Sequence, residues 1–496
     1  MNTDILLNII ESPLAIFSVV FFFGASIFIH ELGHFLAARW RGLVIERFSI
    51  GFGPRLFGWK GKSGVDYRIS LLPLGGYVAL PQMVTMEKIE GSTEQTFADL
   101  PEISYWDKMI VAVAGAVFNV IFAFVLSAIL WFSGSSVQES LTQTKIGYIL
   151  RTQTNENGES VPGAAYNAGL QPGDTILTID GKDVHNWMDI VTTVMTGTQR
   201  DNHGNPLSTF VINRQNERKI INVSPVLDEN EHTRRIGIAP ADNRYIYSVM
   251  ENSPAQEAGI QKGDQIYSIN GRPIFSTMEL LVEISQNPDA ILKLGLIRDG
   301  EHLEKILTPK PVVINKDGDK RSMIGIQWQI DYTQEHIPPQ TRMWNAVEST
   351  FQVLGALLSP KSDVHLRNMS GPIGIGHAIY LTSLMGFTVV LNLIVIININ
   401  LAILNLLPLP VLDGGHMAIA TIEKIANRKI PLRLIETIQA TFVVLLFSMI
   451  LYVSFFDINR VNDMEQDRVK EEKQSEQYIT PVFSSDNQKT DQPTEK

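Results

Sequence analysis

Apolar residues in this 496-residue chain gather into four long runs, at about 12–33, 109–132, 385–406 and 438–456. Each is long enough to cross the roughly 30 Å hydrocarbon core of a bilayer as a helix, which takes about 20 residues. Between the second and third runs, over about 140–360, the pattern is that of soluble sequence, with short alternating stretches divided by Gly, Pro, Asn and Asp. From about 457 onward the chain is polar, rich in Glu, Gln, Asp and Lys, and reads as a disordered tail. The pattern predicts a polytopic α-helical membrane protein with four transmembrane helices and small α/β domains inserted between the second and third spans.

Composition adds little to that picture, because the averages of 19% charged and 45% hydrophobic residues hide the segregation. A net charge of −11 argues against nucleic acid as a partner. The absence of cysteine removes disulfides and thiolate metal sites. The N-terminus has no basic region ahead of its apolar run, so that run is expected to be a retained helix and not a cleaved signal peptide. Orientation follows from the basic residues of the short loops. Arg39, Arg41, Arg47, Arg55, Lys60, Lys62 and Arg68 follow the first span, and Lys424, Arg428, Lys429 and Arg433 join the third and fourth. Both loops are expected in the cytoplasm. The N-terminus, the middle region and the C-terminus are then outside, which in a double-membrane bacterium is the periplasmic side of the inner membrane.

The first span contains His30-Glu31-Leu32-Gly33-His34. Positions i and i+4 share a helix face, so His30 and His34 can offer two imidazoles to one Zn²⁺, with Glu31 beside them to take a proton from water. Such groups are costly in hydrocarbon and mark a functional site there. Two histidines leave a zinc ion one protein ligand short. The downstream histidine of the extended motif is absent, since Ala37 and Trp40 stand where its glycine and histidine would be, and no acid lies between Glu46 and Asp66. The strongest candidate for the third ligand is Asp413, in Asn405-Leu406-Leu407-Pro408-Leu409-Pro410-Val411-Leu412-Asp413-Gly414-Gly415-His416. Pro408 and Pro410 break the third span and leave a short extended segment at membrane depth. His416, Asp363 and His377 are the alternatives, and helix capping is the other role open to Asp413. In the first cytoplasmic loop, Gly75-Gly76 stands between two apolar arms and reads as a hairpin dipping in beside the site.

The middle region repeats itself. Ala168-Gly169-Leu170-Gln171-Pro172-Gly173-Asp174-Thr175-Ile176-Leu177-Thr178-Ile179-Asp180-Gly181 recurs as Ala258-Gly259-Ile260-Gln261-Lys262-Gly263-Asp264-Gln265-Ile266-Tyr267-Ser268-Ile269-Asn270-Gly271. The pattern resembles the PDZ fold, which binds extended peptides by adding a strand to a sheet edge. Two PDZ-like domains are expected, over 133–225 and 226–312. Around them the chain divides into 1–38, the first transmembrane helix with the His-Glu motif; 39–108, a cytoplasmic loop with the hairpin; and 109–132, the second helix. After them come 313–384, a return segment in which Trp344–Leu358 could form a surface helix or pack on the second PDZ-like domain; 385–416, the third helix with Asp413; 417–437, a cytoplasmic loop; 438–456, the fourth helix; and the tail, 457–496.

Taken together, His30 to His34, Phe48-Ser49-Ile50-Gly51-Phe52-Gly53, Pro73-Leu74-Gly75-Gly76-Tyr77-Val78, both repeats, Ser370-Gly371-Pro372-Ile373-Gly374 and Asn405 to His416 resemble the site-2 protease family of intramembrane zinc metalloproteases. Within that family the likeness is to the members that regulate sigma-E and carry two PDZ domains. The resemblance implies Zn²⁺ held by His30, His34 and Asp413, Glu31 as general base, and substrate engaged by Gly75, Gly76, Asn405 and Pro408. It implies single-pass membrane substrates already trimmed outside the membrane, an anti-sigma factor or remnant signal peptides, with peptide ligands of the PDZ domains as further partners. One departure is Gly115-Ala116-Val117-Phe118-Asn119, where the family usually has Gly-Pro before the Asn. The rival function is a non-catalytic membrane PDZ scaffold with a vestigial metal site, whose signature would be a missing ligand or base.

Overall fold

The computed structural model describes residues 13–83, 103–229, 232–315, 319–477 and 483. These form two compact units, one of Met1–Ser136, Gln334–Gln352 and Leu366–Met464, the other of Val137–Thr333, Val353–His365 and Glu465–Lys496.

The first unit is built on apolar helices. Helix α1 (Pro13–Trp40) leads into strands β1 (Arg47–Lys60) and β2 (Asp66–Ala79), and α2 (Tyr105–Ser133) follows. Small residues bring α1 and α2 together: a Cβ on Gly33 would overlap the Ala114 carbonyl oxygen. The hairpin turn between β1 and β2 is at Gly61–Val65, where Gly61 N–H donates to Val65 O at 2.8 Å and Gly64 has φ +87°. Gly75-Gly76 is therefore not the hairpin turn. It lies inside β2, next to a change of partners: Arg47–Ile50 pair with Ala79 to Gly76 on one side and with Asp66 to Ile69 on the other. Gly-Lys-Ser-Gly outcompetes Gly-Gly because its polar centre suits a turn, whereas Gly75-Gly76 stands in an apolar stretch of sequence.

The second unit holds the two repeats. The first comprises β3 (Ile146–Ile149), β4 (Thr175–Ile179), helix α3 (Trp187–Met195), β5 (Ser208–Arg214), β6 (Glu217–Val223) and β7 (Ile238–Pro240). The second comprises β8 (Ile246–Val249), β9 (Gln265–Ile269), α4 (Thr277–Gln286), β10 (Leu292–Arg298), β11 (Glu301–Leu307) and β12 (Ile326–Trp328). In each, the central strand is flanked by a short hairpin strand and by the second hairpin, and the last strand returns to pair with the first, β7 with β3 and β12 with β8. The repeat residues explain this. Asp180-Gly181 and Asn270-Gly271 all have φ between +52° and +79°, the double-positive turn of a tight hairpin. Asp174 accepts from Gln171 N–H and binds Arg214 bidentately at 2.7 Å, and Asp264 does the same with Gln261 and Arg298 at 2.6 and 2.8 Å. The closing strands extend the repeats beyond the expected limits of 225 and 312, to Pro240 and Trp328. They are short and have no turn signature of their own, so sequence pattern alone stops before them.

The remaining helices return to the first unit. Helix α5 covers Pro339–Leu358. Its Met343, Ala346 and Val347 join the apolar cluster of Leu130, Val390 and Ile394. Its Arg342 donates to Asn392 at 2.5 Å, and Thr350 bonds Asn400. These polar contacts tie α5 to α7. Then come α6 (Pro372–Met385), α7 (Phe387–Asn405), α8 (Asp413–Ala426) and α9 (Leu432–Gln477). Asn398 on α7 donates to Ser26 on α1 at 3.0 Å, a polar link between apolar helices. Among the described residues four helices, α1, α2, α7 and α9, are long and apolar enough to cross a membrane. Helix α9 does not stop at 456. Asp457, 1% exposed, accepts from Gly371 N–H and Gly374 N–H at 2.9 Å each, capping α6 from the side, and Glu465 is also buried. These buried carboxylates and the helix-forming Glu, Gln, Lys and Arg that follow continue the helix into what composition alone read as disordered.

Candidate metal centre

The residues of the first unit converge where α1, α2, β2 and α8 meet. His30 and His34, one turn apart on α1, place their Nε2 atoms 3.2 Å from each other. Asp413 Oδ2 lies 3.3 Å from His30 Nε2 and 3.4 Å from His34 Nε2. Ligands of a tetrahedral zinc site, each ~2.1 Å from the ion, stand ~3.4 Å apart, so this spacing is that of three protein corners of a tetrahedron. Among the described residues, Asp413 Oδ2 is buried without a hydrogen-bond partner. An orphaned carboxylate oxygen aimed at two imidazoles is the arrangement a cation resolves.

The histidines are held in one tautomer. His34 Nδ1 lies 2.8 Å from the Val111 carbonyl on α2, so Nδ1 carries the proton and Nε2 offers its lone pair. His30 Nδ1 lies 3.2 Å from the Asn119 amide, whose Oδ1 is otherwise buried without a partner. Turning that amide over lets Oδ1 accept from His30 Nδ1–H. Asn405, at the end of α7, contributes its Nδ2 at 3.3 Å from His30 Nε2.

Glycines make the space. A Cβ on Gly115 would overlap His34 Nε2 and stand 2.6 Å from His30 Cε1. We expect Gly115→Ala to keep the helices but lower metal occupancy at least about tenfold, read by metal analysis of the purified protein. Cβ atoms on Gly414 and Gly415 would overlap the carbonyls of Leu406, Leu407 and Leu409, so the two glycines let the Pro-broken loop fold back over the start of α8. That fold directs Asp413 at the histidines. The N-cap position of α8 belongs to Leu412, so Asp413 does not cap the helix.

A cavity of about 140 Å³ opens on this cluster, lined by His30, Glu31, His34, Val78, Leu80, Asn405, Val411, Leu412, Asp413 and His416. A Cβ on Gly76 would stand 2.7 Å from Glu31 Cγ, so β2 runs directly over the glutamate. Gly75 precedes it on the same strand, while Pro408 is exposed and does not line the cavity. Of the alternatives for the third corner, His416 lines the same cavity, while Asp363 and His377 lie elsewhere. Asp363 is paired with Arg200 and Arg234 at 2.5 and 2.7 Å, and His377 stacks on Tyr380 along α6. Sequence reading missed the partners of the histidines, Asn119 and the Val111 carbonyl. Asn119 was detectable as a lone amide in an apolar span, but a backbone carbonyl leaves no signal.

A His-Glu-x-x-His helix whose donor set is closed by a distant carboxylate, inside a bundle of apolar helices, defines a metalloprotease of the membrane. The chain belongs to Peptidase family M50, whose family model matches residues 18–449. It is 29% identical over 455 residues to the regulator of sigma E protease of Haemophilus influenzae, covering 87% of this chain and 96% of that one. It is 28% identical over 465 residues to the regulator of sigma-E protease RseP of Escherichia coli K12, with the same coverages. Among solved structures, the PDZ domain of an SdrC-like protein from Listeria monocytogenes matches at 24% identity over 17% of this chain and 84% of that one, with a TM-score of 0.15.

Proposed function

We propose that this metalloprotease cleaves peptide bonds within the transmembrane segments of single-pass membrane proteins, with Zn²⁺ held by His30, His34 and Asp413. The observation that supports this most is the convergence of two Nε2 atoms and an orphaned Oδ2 at 3.2–3.4 Å inside apolar helices. Zinc, when bound, supplies a Lewis acid that polarises a water and the scissile carbonyl. Glu31 takes the proton of the attacking water and returns it to the leaving amine. Its place beneath Gly76 keeps it desolvated and close to any backbone lying along β2.

A transmembrane helix shields its own carbonyls and must unwind before attack. Residues Gly76–Ala79 pair with Arg47–Ile50 on one side, and no further strand pairs with them among the described residues. That edge can accept an unwound segment as an added strand and restore its lost hydrogen bonds. The Asn405 amide, beside His30, can hold one peptide group, and the exposed Pro408 shapes the approach. The repeats read as two PDZ domains on the periplasmic side of the inner membrane, together with the N- and C-termini. There they admit substrates already trimmed outside, such as an anti-sigma factor or remnant signal peptides, and exclude those with bulky outer domains.

The test is cleavage of a tagged, pre-trimmed single-pass protein in proteoliposomes, before and after zinc removal. The expected result is cleavage inside the membrane segment that stops on chelation and returns with zinc. No cleavage over several trimmed substrates with zinc bound would favour a PDZ scaffold with a vestigial site.

A further inference from the structure

The two repeats share a loop at the mouth of the last strand, Ile236-Gly237-Ile238 in the first and Ile324-Gly325-Ile326 in the second. The loops are equivalent in detail. Gly237 and Gly325 have φ of +73° and +80°. Ile236 O accepts from Ala165 N–H and Ile324 O from Ala255 N–H, each at 2.9 Å. Gly237 O accepts from Leu150 N–H and Gly325 O from Met250 N–H, again at 2.9 Å. What stands in front of the loops differs. In the first repeat a cavity of about 780 Å³ opens between Ile236, Gly237 and Ile238 and the Trp187, Ile190 and Val194 face of α3. In the second, the ring of Phe483 stands against the glycine: a Cβ on Gly325 would lie 2.8 Å from Phe483 Cε2 and would overlap Ser253. Phe483 is only 3% exposed.

Phe483 belongs to the polar tail, twenty-six residues past Asp457, and is unusual there. Tyr478-Ile479-Thr480-Pro481-Val482-Phe483 is a short apolar stretch between the charged run ending at Gln477 and the polar Ser484-Ser485-Asp486-Asn487. Such a composition supplies one aromatic anchor between polar flanks. The described part of α9 reaches Gln477, six residues before the anchor, a separation that a chain of that length can span only up to ~20 Å. A tether of that length holds its ligand at an effective concentration on the order of millimolar.

We propose that the groove of the second repeat at Gly325 is a peptide site occupied by the chain's own C-terminal segment through Phe483. In the first repeat the equivalent glycine is faced by Gln153 of the repeat itself, a Cβ on Gly237 lying 2.7 Å from Gln153 Cδ, and the cavity beside it is open. An outside peptide must displace the tail to enter the second groove, whereas in the first it meets the Gln153 side chain and the cavity beside it. The tail thereby sets the two repeats apart, with Gln153 at the first groove and Phe483 at the second.

The experiment is a photo-cross-link in the full-length protein, with p-benzoylphenylalanine at position 483, mapped by mass spectrometry. The expected product is intramolecular, at monomer mass, joining position 483 to the peptide containing Gly325 or Ser253. No such product, or only products between chains or with other segments, would overturn the proposal. Full-length Phe483→Ala provides a second reading by amide hydrogen exchange. Exchange over Ile324–Ile326 is expected to rise at least about threefold, with Ile236–Ile238 unchanged as the internal control of folding. Equal exchange in both proteins, or a rise in both loops alike, would also overturn it. Neither reading depends on proteolysis, so the result stands apart from the cleavage test above.

Discussion

Glu31→Gln is expected to abolish cleavage, by roughly a hundredfold to ten-thousandfold, while leaving the bound metal in place. The argument is geometric. Glu31 lines the cavity but is not among the three donors that converge, which are His30, His34 and Asp413. Glutamine has nearly the shape of glutamate and fits beneath Gly76, so the strand over the site should not move. What is lost is the ability to hold a proton taken from water. Metal analysis and cleavage of a pre-trimmed substrate on the same preparation separate the two effects. Full metal with no cleavage supports Glu31 as the base, and substantial cleavage by the variant would remove it from that role.

Asp413→Ala is expected to do the reverse, reducing zinc affinity by more than about a hundredfold and losing cleavage as a consequence. Two neutral imidazoles leave the full double charge of the cation in a low-dielectric setting, and the carboxylate halves it. Asp413→Asn tests this reasoning, because it keeps size and removes charge. It should also lose metal, while its fold, followed by circular dichroism in detergent, should match the parent. Metal content unchanged in both variants would refute Asp413 as a ligand and return attention to His416, which lines the same cavity.

Much of this arrangement was legible in the sequence because it is periodic or punctuated. The i, i+4 spacing of His30 and His34 needs only a helix to become a pair of ligands. The prolines before Asp413 mark where α7 must end, and Gly414-Gly415 mark where the chain must turn back. The repeats announced themselves through Asp174 and Asp264, whose bidentate partners Arg214 and Arg298 end the strands they steady. Misreadings arose where local signals competed. Gly75-Gly76 has turn chemistry, yet Gly61–Val65 makes the turn and Gly76 is needed instead for its lack of a side chain over Glu31. The acidic tail has the composition of a disordered segment, yet α9 continues to Gln477 and Phe483 is buried.

The sequence by itself determined the spans, the donors on α1, the carboxylate candidate and the duplicated insert. Each is written in residues close together along the chain, where hydropathy, helix period and turn preference act. Tertiary structure alone decided how closely α1 and α2 approach, which carbonyl and amide orient the two imidazoles, which strand edge passes Glu31, and which groove Phe483 fills. Those depend on contacts between residues tens to hundreds of positions apart. Whether such a contact forms is set by the fit of small side chains and glycines across the packed interface, which no local pattern encodes.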